Sequence, residues 1–388
     1  MNHTPFREAL INLDALSANV QSLAQTIGTP NLMVVVKANA YGHGMIESAR
    51  AALAGGATWL GVADIDEALQ LRAGGIAVPV LAWIHAPDET FDDAIAAGIT
   101  LGLSTVAQLN AVAGAVDRAA AGSGAGAGAG TGAVPARVHL KLETGLSRNG
   151  ASEPEWPPFF AAAAALHASG AILVEGIFSH LSNTSVEDDL AQATVFERGL
   201  RAAAAAGLAP TLIHLAASAT AVTVPALRYN MVRLGILAYG VSPFEDRSAA
   251  DLGLTPVMTL RASVVATRRV PFGAGVSYDY TYRTAEETTL VLIPLGYGEG
   301  IPRAASGRAP VVIDGQRFVI AGRVAMDQFI VDVGQASVAV GDHVVLFGDP
   351  AVGHPSVTEW AEAASTIGYE IVTRLSGRLE RTFVGAPS

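Results

Sequence analysis

From residue 32 to residue 240, eight short β-rich runs alternate with segments whose apolar residues recur at helical spacing. The runs read LMVVVK, TWLGVAD, VPVLAWIH, ITLGLS, RVHLKLET, VEGIFSH, TLIHLAAS and MVRLGILAYG. Strands separated by helices pair in parallel, because each crossover helix returns the chain to the same end of the sheet. Eight such units predict an α/β fold, a closed (β/α)8 barrel of the TIM type. Past about residue 245 helices almost vanish and runs such as VMTLRASVVATRRV and TTLVLIPLGYG follow one another between Gly, Pro and Asp turns, which predicts a mostly-β domain. One helix, SVTEWAEAAST, interrupts that domain before YEIVTRLSGRLERTFV. The expected division is therefore a barrel over 1–245 and a C-terminal β domain over 246–388, with the boundary near VSPFEDRSAADLG. The Gly/Ala stretch at 119–136 cannot build a core and reads as a flexible surface insert.

At 388 residues the chain exceeds the size at which one core usually stops growing, so two domains suit its length. A formal charge of -11 without a Lys/Arg cluster argues against nucleic acid and against an anionic membrane surface, and favours a small-molecule partner. With no cysteine, disulfides, thiolate catalysis and cysteine-ligated metal are excluded, and no metal site is expected. The opening MNHTPFREALINLDALS lacks a basic stretch leading into an apolar one, and no apolar run reaches the roughly 20 residues of a membrane helix. A soluble cytoplasmic protein is the expectation.

In a β/α barrel the chemistry gathers where strands end, since the loops there surround the open face. Lys37, Asp64, His85 and Ser104 end the first four runs. Lys141, Glu143 and Arg148 come at and just after the fifth, His180 ends the sixth, Ser218 follows the seventh, and Arg233 lies in the eighth. Asp64 and Ser104 fit helix N-caps, and His85 stays undecided. A lone lysine at a strand end ordinarily snorkels, its stem on apolar surface and its ammonium in water. Lys37, Lys141, Arg148, His180 and Arg233 together are harder to read so, because five potentially cationic groups on one face repel unless an anion joins them. A phosphorylated or carboxylate ligand would relieve that repulsion. Ser218 and the Gly235-Ile236 backbone offer small hydroxyl and N–H groups in the loops where barrels commonly hold phosphate. Taken alone, Tyr278 in YDYTY reads as one face of a strand, Met326 as core, and His214 as a satisfied core histidine.

The string VVVKANAYGHG (34–44), supported by KLETGLSRNG, FSHLS, HLAASA, VRLGILAYG, GVSYDYTYR, IPLGYGEG, GRVAMDQ and IGYEIV, resembles the bacterial alanine racemases, a fold-type III family dependent on pyridoxal 5'-phosphate. The similarity runs from INLDALSANV to YEIV, excepting the Gly/Ala insert. The resemblance implies that Lys37 carries the cofactor as a Schiff base. It further implies that Tyr41, Ser218, Tyr369 and the backbone at Gly235 and Ile236 hold the cofactor phosphate. Arg233 would face the pyridine nitrogen, His180 would pack near the ring, and Arg148 would approach the phenolic oxygen and the substrate carboxylate. Tyr278 would come from the other subunit of a homodimer, with Met326, Asp327 and Tyr297 bordering the substrate entrance. The strand near FREALINLD would join the C-terminal β domain. Lys141 matches a position that some members carbamylate.

The implied activity is interconversion of L- and D-alanine by two bases, Lys37 for the D face and Tyr278 for the L face, supplying D-alanine for peptidoglycan. A tyrosine titrates near about 10, so Tyr278 would need Arg148 or His180 to stabilise its phenolate. An arginine does not give up its proton to a pyridine nitrogen, which would favour reprotonation over transamination. Two departures stand out: Ala217 replaces the Asn most members carry before the phosphate serine, and Glu143 and Leu146 replace the usual Asp and Met. Rival readings are a decarboxylase or serine racemase using the same cofactor, and a cofactor carrier. Carriers of that kind typically lack a domain such as 246–388.

Overall fold

The computed structural model describes residues 6–122 and 134–385. Packing divides them into two units, one formed by residues up to Ser22, Ala38–Gly55 and Ile236 onward, the other by Leu23–Lys37 and Gly56–Gly235. The chain opens with β1 (Arg7–Asn12), which belongs to the first unit.

The second unit is the barrel. Its strands are β2 (Asn31–Val35), β3 (Trp59–Val62), β4 (Val80–Ala82), β5 (Thr100–Leu103), β6 (Ala136–Lys141), β7 (Ile172–Phe178), β8 (Leu212–His214) and β9 (Met231–Leu234). They form one eight-stranded sheet in which β2 pairs in parallel with both β3 and β9. The seam closes just past β8, where Ala217 bridges Arg233 and the Arg233 N–H donates to the Ala216 carbonyl at 3.1 Å. The predicted nearly closed parallel barrel is therefore present, with apolar β-branched strands buried on both faces as parallel sheets require. Met33, Trp59, Leu81 and Met231 fill its interior, with Trp83 and Leu212 packed against them. Of the residues read as a flexible insert, 119–122 end the helix Val106–Gly122, Ala136 opens β6, and 123–133 lie outside the described residues. Asp64 is the predicted N-cap, its side chain accepting the Glu67 N–H. Ser104 is not: the next residue, Thr105, accepts the Gln108 N–H at 3.1 Å, because the helix starts one residue later than the pattern suggested.

The first unit is mostly β. After the barrel come β10 (Met258–Ser263), β11 (Ala266–Val270), β12 (Gly275–Val276), β13 (Tyr282–Arg283), β14 (Thr288–Ile293), β15 (Pro310–Ile313), β16 (Gln316–Ala321), β17 (Phe329–Gly334), β18 (His343–Phe347) and β19 (Glu380–Val384). Nine strands make one sheet, in the order β11-β14-β17-β16-β15-β18-β10-β1-β19. The strand at FREALINLD thus joins the C-terminal β domain, antiparallel to β10 and parallel to β19. The predicted helix is Val357–Ala364, started by a capping box in which Ser356 and Glu359 satisfy each other's backbone N–H. YEIV is not a strand. Gly368–Thr373 is helical, since Ile371 and Val372 bury side by side on it and that burial overrides their β preference. No helix among the described residues is long and apolar enough to cross a membrane.

Candidate active site

Two residues past β2 stands Lys37, and directly after it Ala38, Asn39, Ala40 and Tyr41 all take positive φ between 52° and 55°. This is one turn of left-handed helix, which costs L-residues roughly 1–2 kcal/mol each through crowding of Cβ. The string KANAYGHG is legible in that light. Alanine limits the crowding, asparagine tolerates the left-handed region, and Gly42 and Gly44 also sit at positive φ. The turn is held by Asn39 Oδ1, which accepts the Met45 N–H at 2.9 Å, and by His43, whose Nδ1 lies 3.0 Å from the carbonyls of Ala40 and Tyr41. Two carbonyl partners make that nitrogen the protonated one.

Within the barrel unit the cations do converge. Burial, and then Arg148, push the Lys37 amine below its ordinary value against a weaker opposing pull from Glu67. Lys37 Nζ also lies 5.8 Å from the centre of the Trp83 ring. Lys141, buried at the end of β6, is brought down to about 8 by burial first and then by Arg233 and Arg148. Arg233 is buried on β9 with no carboxylate partner in its hydrogen bonds. Nη1 donates to His214 Nδ1 (3.0 Å) and His214 O (3.2 Å), and Nη2 to the carbonyls of Ser179 (2.7 Å) and Leu215 (3.0 Å) and to His180 Nδ1 (3.2 Å). Burial and Arg148 bring it down to about 10. Arg148 is exposed, at the end of a loop organised by Glu143, whose carboxylate accepts the N–H groups of Gly145 (2.5 Å) and Arg148 (3.2 Å). Glu143 therefore occupies itself with its own loop. Ser218 is buried at the start of Ser218–Thr223 and its hydroxyl accepts the Gly235 N–H at 2.9 Å. Ala217, the N-cap of that helix, offers no side-chain acceptor, as its identity foretold.

Behind Arg233 lies a pair of buried histidines. His214 Nε2 is 2.9 Å from His139 Nδ1, both rings are fully buried, and His214 stacks on Phe178 with planes 4° apart. His214 is the satisfied histidine expected, and its partner could have been suspected from His139 lying two residues before Lys141, on the same strand face. Gly176 makes the space, for a Cβ there would stand 2.6 Å from the His139 ring.

Burial first, then nearby cations, push His139 and His180 down to about 3; burial pushes His43 and His85 down to about 4. Their folded-state values lie below the unfolded one, so the associated stability is whole above pH 6.5 and is lost as pH falls toward the folded values. His43 alone accounts for about 3 kcal/mol between neutrality and pH 4. Urea unfolding of the ligand-free chain is expected to show stability falling steeply from pH 6.5 to 4; a flat profile would contradict the buried neutral imidazoles.

In the β unit, Tyr41 is buried, with its ring centre 5.2 Å from that of Tyr239 and 6.3 Å from that of Tyr369. Burial raises Tyr369 to about 12, so it stays a phenol able to donate. Ile236 opens the buried turn Ile236–Tyr239. Tyr278 does not lie on a strand face: Tyr278–Tyr280 is a tight turn between β12 and β13, with Ser277, Asp279 and Tyr280 at positive φ. Ser277 Oγ donates to the Arg323 carbonyl (2.7 Å) and Asp279 pairs with the Arg323 side chain (2.7 Å), which fixes the turn. Tyr278 is 68% exposed, and Tyr297 and Met326 are exposed too, so Met326 is not core. Asp327, beside Met326, bonds Arg378 Nη2 at 2.5 Å.

A basic barrel mouth with a lysine at a strand end, joined in one chain to a β unit that carries exposed tyrosines, describes a class of enzyme. Residues 11–243 match the model of the alanine racemase N-terminal domain and 257–383 that of the C-terminal domain. The alanine racemase of Thermobifida fusca is 47% identical over 384 residues, covering 98% of this chain and 99% of that one. The crystal structure of alanine racemase from D-cycloserine-producing Streptomyces lavendulae is 41% identical with a TM-score of 0.94, covering 99% and 98% of the two chains. That of Bacillus anthracis, solved with bound L-Ala-P, is 29% identical with a TM-score of 0.87, covering 100% and 97%. The chain belongs to the alanine racemase family, and its activity is that of an amino-acid isomerase.

Proposed function

We propose that this protein is a cytoplasmic homodimer that interconverts L- and D-alanine with pyridoxal 5'-phosphate and two bases, providing D-alanine for peptidoglycan. The observation that carries the reading is the barrel's cluster of cations, for which no ion pair to a carboxylate is found among the described residues. Burial, and then neighbouring cations with Arg148 among them in each case, lower Lys37, Lys141 and Arg233, while Glu67 opposes the shift at Lys37 and Glu143 that at Lys141. A dianionic phosphate with a phenolate and an amino-acid carboxylate is the chemistry that relieves it. The donors present fit that cofactor. Ser218 and the Gly235 and Ile236 backbone, with Tyr41 and Tyr369, would hold its phosphate, Arg233 its pyridine nitrogen and Lys37 its carbonyl carbon. His180 would lie beside the ring and Arg148 by its phenolic oxygen. When bound, the cofactor supplies the electron sink that makes the amino-acid Cα proton removable.

The rest belongs to the chain. The lowered basicity of Lys37 leaves more of its amine neutral near pH 7, so that Nζ can take the Cα proton of D-alanine and return one in the opposite direction. Tyr278 of the partner subunit would do the same at Oη on the L face. Because an arginine only donates, His180 Nδ1 must accept, and its proton sits on Nε2. His180 can therefore donate to a phenolate and lower the cost of forming one at Tyr278. Arg148 would receive the substrate carboxylate, with Tyr297, Met326 and Asp327 of the partner bordering the way in.

Lys141 fits the carbamate reading, since an amine brought to about 8 is partly neutral near neutrality. Its lone pair bonds the carbon of CO2, the amine proton leaves to solvent, and the new carboxylate turns a repulsion of Arg148 into an attraction. Protein equilibrated with 13C-bicarbonate at pH 8 is expected to give a carbamate 13C resonance that Lys141→Ala loses; no resonance in the unmodified protein sinks the assignment. The whole reading is tested by a chiral assay of L-alanine and L-serine with and without added cofactor. D-alanine formation that depends on the cofactor is expected, and CO2 release or inertness toward both amino acids overturns it.

A further inference from the structure

Three segments of the β unit that are distant in sequence meet at one arginine. The turn Tyr297–Glu299 carries Tyr297, the segment Ala325–Asp327 carries Met326, and Ser376–Arg378 lies between the last helix and β19. Backbone bonds stitch the first two together: Tyr297 N–H to Ala325 O at 3.1 Å and Gly298 N–H to Met326 O at 2.8 Å. The third is tied on by Ser376 N–H to Glu299 O at 3.2 Å. The contact is so close that a Cβ at Gly296 would stand 2.3 Å from the Ala325 and Met326 carbonyl oxygens, and one at Gly377 2.6 Å from the Gly298 oxygen.

Arg378 locks this junction from both sides. Its Nε and Nη2 donate to Glu299 Oε1 at 2.6 and 2.5 Å, and Nη2 also reaches Asp327 Oδ1 at 2.5 Å. Glu299 is fully buried, and its other oxygen accepts the Gly296 N–H at 3.0 Å. A buried carboxylate needs a partner, so one half of the guanidinium is anchored and the remaining reach is fixed on Asp327. Asp327 is half exposed, and an aspartate in that setting would otherwise sample several rotamers.

We propose that Arg378 is a positioning residue for substrate: by holding Asp327 against the Tyr297 turn, it sets the width and charge of the entrance that this β unit presents. This rests on the reading that Tyr297, Met326 and Asp327 border the substrate's way in. Arg378 touches neither the reacting atoms nor the cofactor in this assignment, so its loss acts on capture of the amino acid rather than on proton transfer. With the Arg378 to Asp327 contact broken from either side, the Asp327 segment is no longer held against the Tyr297 turn, the entrance loses its set width, and affinity falls.

The test is steady-state kinetics of the full-length, cofactor-loaded enzyme in both directions, comparing Arg378→Gln, Arg378→Lys and Asp327→Asn. Lysine keeps a charge beside buried Glu299 but cannot present the two-nitrogen fork, so it carries the test if the glutamine variant does not fold. KM for both enantiomers is expected to rise about fivefold or more with kcat within about twofold. Arg378→Lys and Asp327→Asn combined are expected to do no more than the larger of the two, because they break one contact. A shifted melting temperature with unchanged KM, or fully additive effects, overturns the proposal and leaves Arg378 a structural residue. An unmodified enzyme that fails to interconvert the alanines instead sinks the functional reading itself.

Discussion

Lys37→Ala is expected to abolish interconversion in both directions, lowering kcat by about 10^4-fold or more, and to remove the visible absorbance of lysine-bound cofactor. Both effects come from one atom. Lys37 Nζ would hold the cofactor and also serve as base on the D face, so neither direction survives its loss. The fold should tolerate the change, since the side chain is partly exposed and its contact with Trp83 is the long one of a cation over a ring. Circular dichroism separates the cases: a folded, colourless, inactive protein is the expected result. If the absorbance band persists, the amine of Lys37 is not the attachment point and a snorkelling role returns.

Tyr278→Phe is expected to slow turnover by about 10^2-fold or more, with loss of proton exchange on the L face, while the lysine-bound absorbance persists. The sharper expectation comes from mixing subunits. Lys37→Ala and Tyr278→Phe proteins are each expected to retain about 1% of activity or less, but dimers formed between them would contain one site with both lesions and one with neither. After unfolding and refolding of an equal mixture, about a quarter of wild-type activity should return, since half the dimers are mixed and half their sites are intact. Failure to recover activity while light scattering shows re-formed dimers would place Tyr278 in the same subunit's site or outside catalysis. The exposure of Tyr278, Tyr297 and Met326 in the single chain is what motivates the experiment.

The barrel was legible because its signals are local: β-rich runs, helical spacing and turn residues lie next to one another in the chain. Lys37, Lys141, His180, Ser218 and Arg233 could be picked out because topology alone brings strand ends to one face. Finer features turn on single residues. Thr105 takes the cap expected of Ser104 because a hydroxyl at either position satisfies the same pattern. The helix at YEIV and the tight turn at Tyr278 were masked by β-branched and aromatic residues, whose strand preference yields to local burial and to left-handed backbone. Arg378 was invisible, for its partners Asp327 and Glu299 are 51 and 79 residues away and such pairs leave no periodic trace. The His139 to His214 contact was hidden likewise, across 75 residues.

The His139 and His214 pair has a fixed sense of donation. Because Arg233 can only donate, His214 must accept at Nδ1 and carry its hydrogen on Nε2, which obliges His139 to accept in turn. The last hydrogen, on His139 Nε2, is buried and meets no acceptor among the described residues. The pair of imidazoles is thus polarised in one sense, and passing a proton along it toward Arg233 would require both rings to change tautomer together.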